Sequence, residues 1–300
     1  MKNIFSLLIF CVYFQPFYSQ DKKVFNKIDS LNTTKEVQEF LDNDQNKINY
    51  YLKVKDKIDY DRYCAPIADS LKIEQNWEKA DFDNNGLTDL LVTGSTSEGI
   101  KTIYILDKGD HFESKNLSKG KLYEQCSFSL LKDNKIEYHS VKILNRYGFI
   151  SRLNETLLYK FEEFIEENTS PKKHNILEIQ FETSGSHWNN FILKMEIVSN
   201  RDITWISRND GSFISGVYAS KLSQEKFKEI VDLLNYVNFE NLPDTFEVGY
   251  SDAATSYIKV TYDNLKVKTI NDSGGMGTRG LRKLYDILND LKGNQKWTKL

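Results

Sequence analysis

Ala80-Asp81-Phe82-Asp83-Asn84-Asn85-Gly86-Leu87-Thr88-Asp89-Leu90-Leu91-Val92-Thr93-Gly94 runs a loop crowded with oxygen-bearing side chains straight into an unbroken apolar segment. Counted from Asp81, side-chain oxygens fall at loop positions 1, 3, 5 and 9 (Asp81, Asp83, Asn85, Asp89), and glycine stands at position 6. A hard cation such as Ca²⁺ takes six to eight oxygens at about 2.3 to 2.6 Å, and alternate side chains of a curled loop point inward to supply them. The backbone carbonyl of Leu87, at position 7, completes the set by the same logic. Gly86 suits the sharp turn because it takes positive φ without a Cβ clash. A metal-free reading uses the same residues: Asp and Asn side chains cap their own backbone in successive Asx-turns and fix the entry to a strand.

The flank of the loop separates two families. Position 12 is Val92 where an EF-hand carries a bidentate glutamate, and Leu90-Leu91-Val92 reads as strand where an EF-hand enters a helix. The pattern Asp-x-Asp-x-Asn-Gly-x-x-Asp-Leu resembles the calcium loops of integrin-type propeller repeats, in which a short acidic loop feeds a strand. Those families repeat the loop around a ring; this chain has it once, with no second copy 40 to 60 residues away.

Downstream of the loop, Thr88–Thr93, Lys101–Leu106, Ser127–Leu131 and Ile136–Leu144 read as strands, with turns at Lys108-Gly109-Asp110 and Lys132-Asp133-Asn134. These predict a small, largely antiparallel sheet with the acidic loop at one end. Leu157–Ile165 fits a helix by spacing and a strand by aromatic content. Glu162, Glu163, Glu166 and Glu167 read as a solvated charge run rather than as an acid/base pair. Upstream, Trp77 is expected as a core anchor. Between Thr33 and Tyr60 the residues Val37, Leu41, Ile48, Leu52 and Ile58 form one stripe, which predicts one or two amphipathic helices capped by Asn32 or Thr33.

Met1–Gln20 has the layout of a secretory signal peptide: Lys2, then a nearly continuous apolar stretch from Ile4 to Tyr13, then Asp21-Lys22-Lys23. Without Cys11, Cys64 and Cys126 remain as an even pair in a chain bound for a secreted or periplasmic, oxidising location, where a disulfide is expected. No later run reaches transmembrane length. A formal net charge of −3 and only short lysine pairs leave no footprint for nucleic acid.

Asn168–Lys173, which is polar and contains a proline, is the expected boundary between an N-terminal α+β domain (21–168) and a C-terminal one (175–300). Beyond it, Ile176–Phe181, Phe191–Val198 and Ile203–Ser207 alternate as strands, with a turn at Asn209-Asp210-Gly211. Ser223 caps a helix with Phe227, Ile230, Val231 and Leu234 on one face. Thr255–Tyr262 and Leu265–Ile270 make a hairpin, and Leu281, Leu284, Tyr285, Leu288 and Leu291 line a last helix. The fold class is α+β: two domains with largely antiparallel sheets, the second with two helices on one sheet face.

The second half, over roughly Asn175–Trp297, resembles a family of uncharacterised domains in secreted and lipid-anchored proteins of Bacteroidota-type bacteria. The matching positions are the Leu222–Leu234 helix, Tyr236–Phe239 with Leu242, the Ser256–Ile270 strand pair, Ser273-Gly274-Gly275-Met276-Gly277, and the closing helix with Trp297. That family has a cysteine- and proline-containing turn where this chain has Thr183-Ser184-Gly185-Ser186-His187-Trp188. The resemblance implies a secreted location and no known chemistry.

Other site signals are sparse. Gly274, Gly275 and Gly277 precede a helix and suggest an anion cradle near Arg279, with tight strand-to-helix geometry as the plainer account. The histidines His111, His139, His174 and His187 show no HExxH spacing, and there is no GxSxG elbow. Two function classes follow: a non-enzymatic binding or structural protein with a calcium-stabilised loop, meeting a protein or cell-surface polymer; or an extracellular hydrolase with Asp81, Asp83 or Asp89 in its cleft. Carboxylates about 5 to 10 Å apart across a groove favour the hydrolase, and carboxylates curled about one point favour the binding protein.

Overall fold

The computed structural model of the chain describes residues 27–43, 51–60, 62, 64–119, 124–143, 150–184, 192–208, 215–248 and 253–300. The expected leader over 1–20, the turn at 209–211 and His187-Trp188 lie outside the described residues.

The α+β class holds. Among the described residues, four α-helices accompany three sheets that are almost wholly antiparallel. Strands β1 (Trp77–Ala80), β2 (Asp89–Thr96), β3 (Gly99–Asp107) and β4 (Phe112–Asn116) form one four-stranded meander. A second meander is made of β5 (Cys126–Lys132), β6 (Lys135–Ile143), β7 (Ile150–Lys160) and β8 (Glu163–Glu166). The single small sheet expected after the loop is therefore two sheets, packed face to face. Leu91, Tyr104 and Leu106 of the first meet Ile136, Tyr138, Leu157 and Phe164 of the second. On the other face of the first sheet, Leu90, Val92, Ile103 and Ile105 pack under helix α1 (Thr34–Asp42) and the chain around Leu52 and Val54. Burial on both faces explains the unbroken apolar run Leu90-Leu91-Val92: with side chains alternating across a strand, each face still needs its own apolar set.

Thr33 caps α1 in a capping box, accepting the Glu36 amide at 3.2 Å while the Glu36 carboxylate accepts the Thr33 amide at 2.9 Å. The helix stops at Asp42, so Leu52 and Ile58 are not on the expected helical stripe. Leu52 and Val54 instead lie on extended chain that bridges β2, with Lys53 and Ser95 exchanging backbone hydrogen bonds of 2.8 and 2.9 Å. The helix-like spacing arises from two buried residues of an extended segment, two apart, following a short helix. Helix α2 (Ala65–Leu71) comes next and has no counterpart among the sequence expectations. Trp77 is buried beneath α1 as expected.

The third sheet has eight strands in the order β13-β15-β14-β9-β10-β11-β12-β16. Its strands are β9 (Ile176–Ser184), β10 (Ile192–Val198), β11 (Asp202–Arg208), β12 (Gly216–Lys221), β13 (Thr245–Phe246), β14 (Thr255–Tyr262), β15 (Lys266–Ser273) and β16 (Thr298–Lys299). Among the described strands, only β13 and β15 run parallel. Helices α3 (Gln224–Tyr236) and α4 (Arg279–Asn294) share one core with it, in which Phe181, Met195, Trp205 and Ile258 meet Ile230, Leu234, Leu284 and Leu288. That core also takes Ile165 from β8. Cys64 and Cys126 form a disulfide, with Cα atoms 6.1 Å apart, tying α2 to the edge of the second sheet.

Candidate metal centre

The acidic loop is the β1–β2 connection, and the register Ala80↔Asp89 brings its two ends together. Phe82 anchors it from position 2: the ring is buried between the two meanders and meets Phe164 edge to face at 5.1 Å. Asp89 holds the other end. It has no exposed surface, and its two oxygens accept the amides of Phe82 and Asp107, each at 2.8 Å. Asp89 thereby fastens the loop to the end of β3.

Asp81 accepts the amides of Asn85 at 3.1 Å and Gly86 at 2.9 Å, which curls the loop inward. Asn84 and Gly86 both have positive φ, 57° and 84°. One carboxylate oxygen from each of Asp81, Asp83 and Asp89 lies within 4.8 Å of the others. These three of the expected ligands are brought together. Asn85 stands beside them: its side-chain oxygen accepts the Leu87 amide at 2.7 Å, and its nitrogen reaches Asp83 at 3.3 Å and the Asp107 carbonyl at 2.7 Å. An amide oxygen has two lone pairs, so one hydrogen bond leaves the second for a cation. Leu87 enters these contacts through its amide; its carbonyl is the fifth candidate ligand.

The buried member of the cluster bears the largest cost, chiefly through loss of solvent. Burial pushes the Asp89 carboxyl up to about 7; the amides of Asp107 and Phe82 oppose this, and the charges of Asp83 and Asp81 add to it. The sequence reading missed the residue that answers part of this charge. Lys108, in the β3–β4 turn, places its ammonium 2.6 Å from Asp83. Burial works against that ammonium, yet Asp83 holds its pKa above the usual lysine value. Lys108-Gly109-Asp110 is legible as a turn; that it folds onto a loop 25 residues earlier is visible only through the pairing of β2 with β3. A recess of about 520 Å³ opens beside the loop, bordered by Asp29, Lys79, Asp81 and Thr88.

The glycine-rich stretch before α4 does cradle an anion, and the anion is the chain's own. Asp272, fully buried, accepts the amides of Met276 at 2.7 Å and Gly277 at 3.1 Å. Arg279 points elsewhere, onto the Leu117 carbonyl at 2.6 Å and Glu155 at 3.4 Å. The glutamate run is likewise not a free solvated face. Glu163 accepts from Tyr104 and Lys115, Glu167 pairs with Lys135 at 2.7 Å, and Glu166 accepts the first amides of α4.

Comparison with known families places one part of the chain. Residues 177–292 match the family model described as a domain of unknown function (DUF6438), a span that runs from β9 through α4 and takes in both helices. The acidic loop lies outside that match. No curated protein matches the chain.

Proposed function

We propose that this is a secreted or periplasmic binding or structural protein, non-enzymatic, whose N-terminal domain is stiffened by one Ca²⁺ held by Asp81, Asp83, Asn85, the Leu87 carbonyl and Asp89. The observation that carries the reading is the convergence of three carboxylates within 4.8 Å around the inside of one loop. A hydrolase needs its carboxylates facing a substrate across a groove. Asp89 has no exposed surface and both of its oxygens are held by backbone amides, so the alternative of an extracellular hydrolase is the weaker one. The Cys64–Cys126 disulfide supports an oxidising compartment. Among the described residues no helix is long and apolar enough to cross a membrane. The partner in this reading is a protein or cell-surface polymer, with domains at 21–168 and 175–300. Calorimetric titration of chelator-stripped protein with Ca²⁺, with Mg²⁺ as control, tests the metal. Mg²⁺ demands near-octahedral geometry at shorter bonds and is expected to bind far more weakly. Absence of heat with Ca²⁺ at millimolar concentration overturns the reading in favour of metal-free Asx-turns.

A further inference from the structure

Between β4, β8 and the outer face of α4 lies a polar cleft of about 340 Å³. Its wall carries four cations, Lys115, Arg279, Arg282 and Lys283, against two carboxylates, Glu163 and Asp286. The excess is local, because the chain as a whole has a formal charge of −3.

The partners of these six sort them into two groups. Lys115 is engaged by Glu163 at 3.3 Å and by the Glu162 carbonyl at 2.8 Å. Arg279 is nearly buried, 6% exposed, and is held by Glu155 and the Leu117 carbonyl, yet its Nη2 has no hydrogen-bond acceptor. Arg282 and Lys283 are half-buried, and among the described residues their side chains make neither an ion pair nor a hydrogen bond. Asp286 stands three and four residues along the same helix, the spacing of helical ion pairs; burial raises its pKa and the charges of Arg282 and Lys283 oppose that rise, without an ion-pair contact to either. The amides that open α4 are already taken: Arg279 and Gly280 donate to Glu166, and Leu281 to Thr278. Any ligand here is therefore bound by side chains rather than by the helix end.

We propose that this cleft binds a tetrahedral oxyanion, a phosphate or sulfate group, between the Arg282 guanidinium and the Lys283 ammonium, with Asp286 setting the upper limit on affinity by like-charge repulsion. A guanidinium presents paired N–H donors matched to two oxygens of such a group, and a neighbouring ammonium adds a point charge. The N–H groups of a half-buried guanidinium in an open cleft are served by water, which an oxyanion replaces with stronger, charge-assisted hydrogen bonds. The group arrives either as the free ion or as an ester on a polymer, and the cleft, open to solvent between two sheets, accommodates both.

The test is isothermal titration of the full chain, prepared in chloride buffer, with inorganic phosphate, inorganic sulfate and a sugar monosulfate. Heat with the sugar ester alone or more tightly than with the free ions identifies the ester as the source; equal or tighter binding of the free ions identifies the ion. The site requires Arg282→Gln and Lys283→Gln each to weaken binding about tenfold, the scale of one lost charge-assisted hydrogen bond, and Asp286→Asn to tighten it. All three residues lie on the outer turns of α4, and Arg279, whose loss would disturb the core, is left alone. Unchanged thermal melts of the variants separate lost contacts from lost fold. No heat with any of the three ligands at about 10 mM, or heat that the Arg282→Gln/Lys283→Gln double variant leaves intact, overturns the proposal.

Discussion

Glu166, the last residue of β8, caps the helix that begins at Arg279: its two carboxylate oxygens accept the Arg279 amide at 2.5 Å and the Gly280 amide at 3.0 Å. The cap comes from 113 residues earlier in the chain. The Arg279 side chain returns the contact, lying 4.6 Å over the Tyr138 ring and donating to the Leu117 carbonyl. A helix N-terminus concentrates unpaired N–H groups and partial positive charge, so a carboxylate placed there satisfies donors and dipole together. The N-terminal meanders and the C-terminal helix layer thus complete each other's hydrogen bonding.

Glu166→Ala is expected to destabilise the chain by about 1 to 2 kcal/mol, the usual cost of a lost helix cap. Glu166→Gln, which keeps one acceptor oxygen, should cost less. Urea unfolding followed by circular dichroism measures both. Equal stability of wild type and the alanine variant would show that water serves these amides equally well.

Gly280 is a place where a side chain has no room. A Cβ built there would lie 2.4 Å from Cγ1 of Val237, at the end of α3. Gly280→Ala should therefore lose about 1 to 3 kcal/mol by overpacking, despite alanine's better helix propensity. Val237→Ala in the same chain should recover part of that loss, which a double-mutant cycle reads directly. Additive losses in the cycle would mean that the two sites do not press on each other.

The C-terminal layer is the more legible half. Ser223 capping α3, the hairpin around Asp263-Asn264 and the Leu281–Leu291 stripe each declare themselves within one window of sequence. The N-terminal half hides its turns. β7 passes to β8 through Phe161 and Glu162, both at positive φ, where neither glycine nor asparagine marks the bend, so Leu157–Ile165 reads as one element. At the acidic loop, the alternation of Asp81, Asp83, Asn85 and Asp89 points to one centre from sequence alone. Its remaining parts, the buried Phe82, the Asp107 amide and the Lys108 ammonium, come from packing and from strand pairing that local patterns do not encode.

The disulfide closes a loop of 62 residues. On the chain-entropy account such a crosslink stabilises by about 4 kcal/mol. Intact-mass measurement with and without reduction should show the bridge in protein recovered from an oxidising compartment, and the Cys64→Ala/Cys126→Ala variant should unfold at markedly lower denaturant. Two freely alkylated thiols in such material would remove the bridge from the account.

Asp89 predicts a pH dependence with a definite sign. Its carboxyl titrates at about 7 in the folded chain, against 3.8 for an unperturbed aspartate. Between these values the folded state holds a proton that the unfolded state has released. Metal-free stability therefore falls by about 1.4 kcal/mol for each pH unit on the way from about 4 to about 7, and levels off above. Asp89→Asn should flatten that slope. At about pH 4 it should cost about 1 to 3 kcal/mol, because its amide cannot accept from both Phe82 and Asp107, and that cost should shrink as the pH rises and the wild-type protein loses stability. Unfolding curves in chelator at several pH values decide it; the same slope in Asp89→Asn and wild type would assign the dependence to another group.

The loop itself carries the sharpest prediction, because its parts respond to calcium in different directions. Asp81→Asn, Asp83→Asn and Asp89→Asn each remove a charge from the cluster and should each weaken Ca²⁺ binding. In the metal-free protein, Asp81→Asn relieves repulsion, which offsets part of the cost of losing one of the two amides, Asn85 and Gly86, that its carboxylate accepts. Lys108→Met goes the other way. Its ammonium sits 2.6 Å from Asp83 and competes with a cation for that carboxylate. Removing it should tighten calcium binding while lowering stability in chelator, where the lysine offsets part of the cluster's charge. Gly86 separates backbone from space: φ is +84° and nothing lies within 4 Å of a Cβ built there. Gly86→Val should therefore be destabilising through conformation alone, on the order of 1 to 3 kcal/mol, and Gly86→Asn, which tolerates positive φ, should cost less. Calcium at a hundredfold excess over Kd should stabilise the wild-type protein by about 2.7 kcal/mol through mass action. Thermal melts of the five charge and glycine-to-valine variants with and without Ca²⁺ give the full set. A Lys108→Met protein whose melt is insensitive to calcium would mean that Asp81, Asp83 and Asp89 converge to hold the turn and Lys108, and not a metal ion.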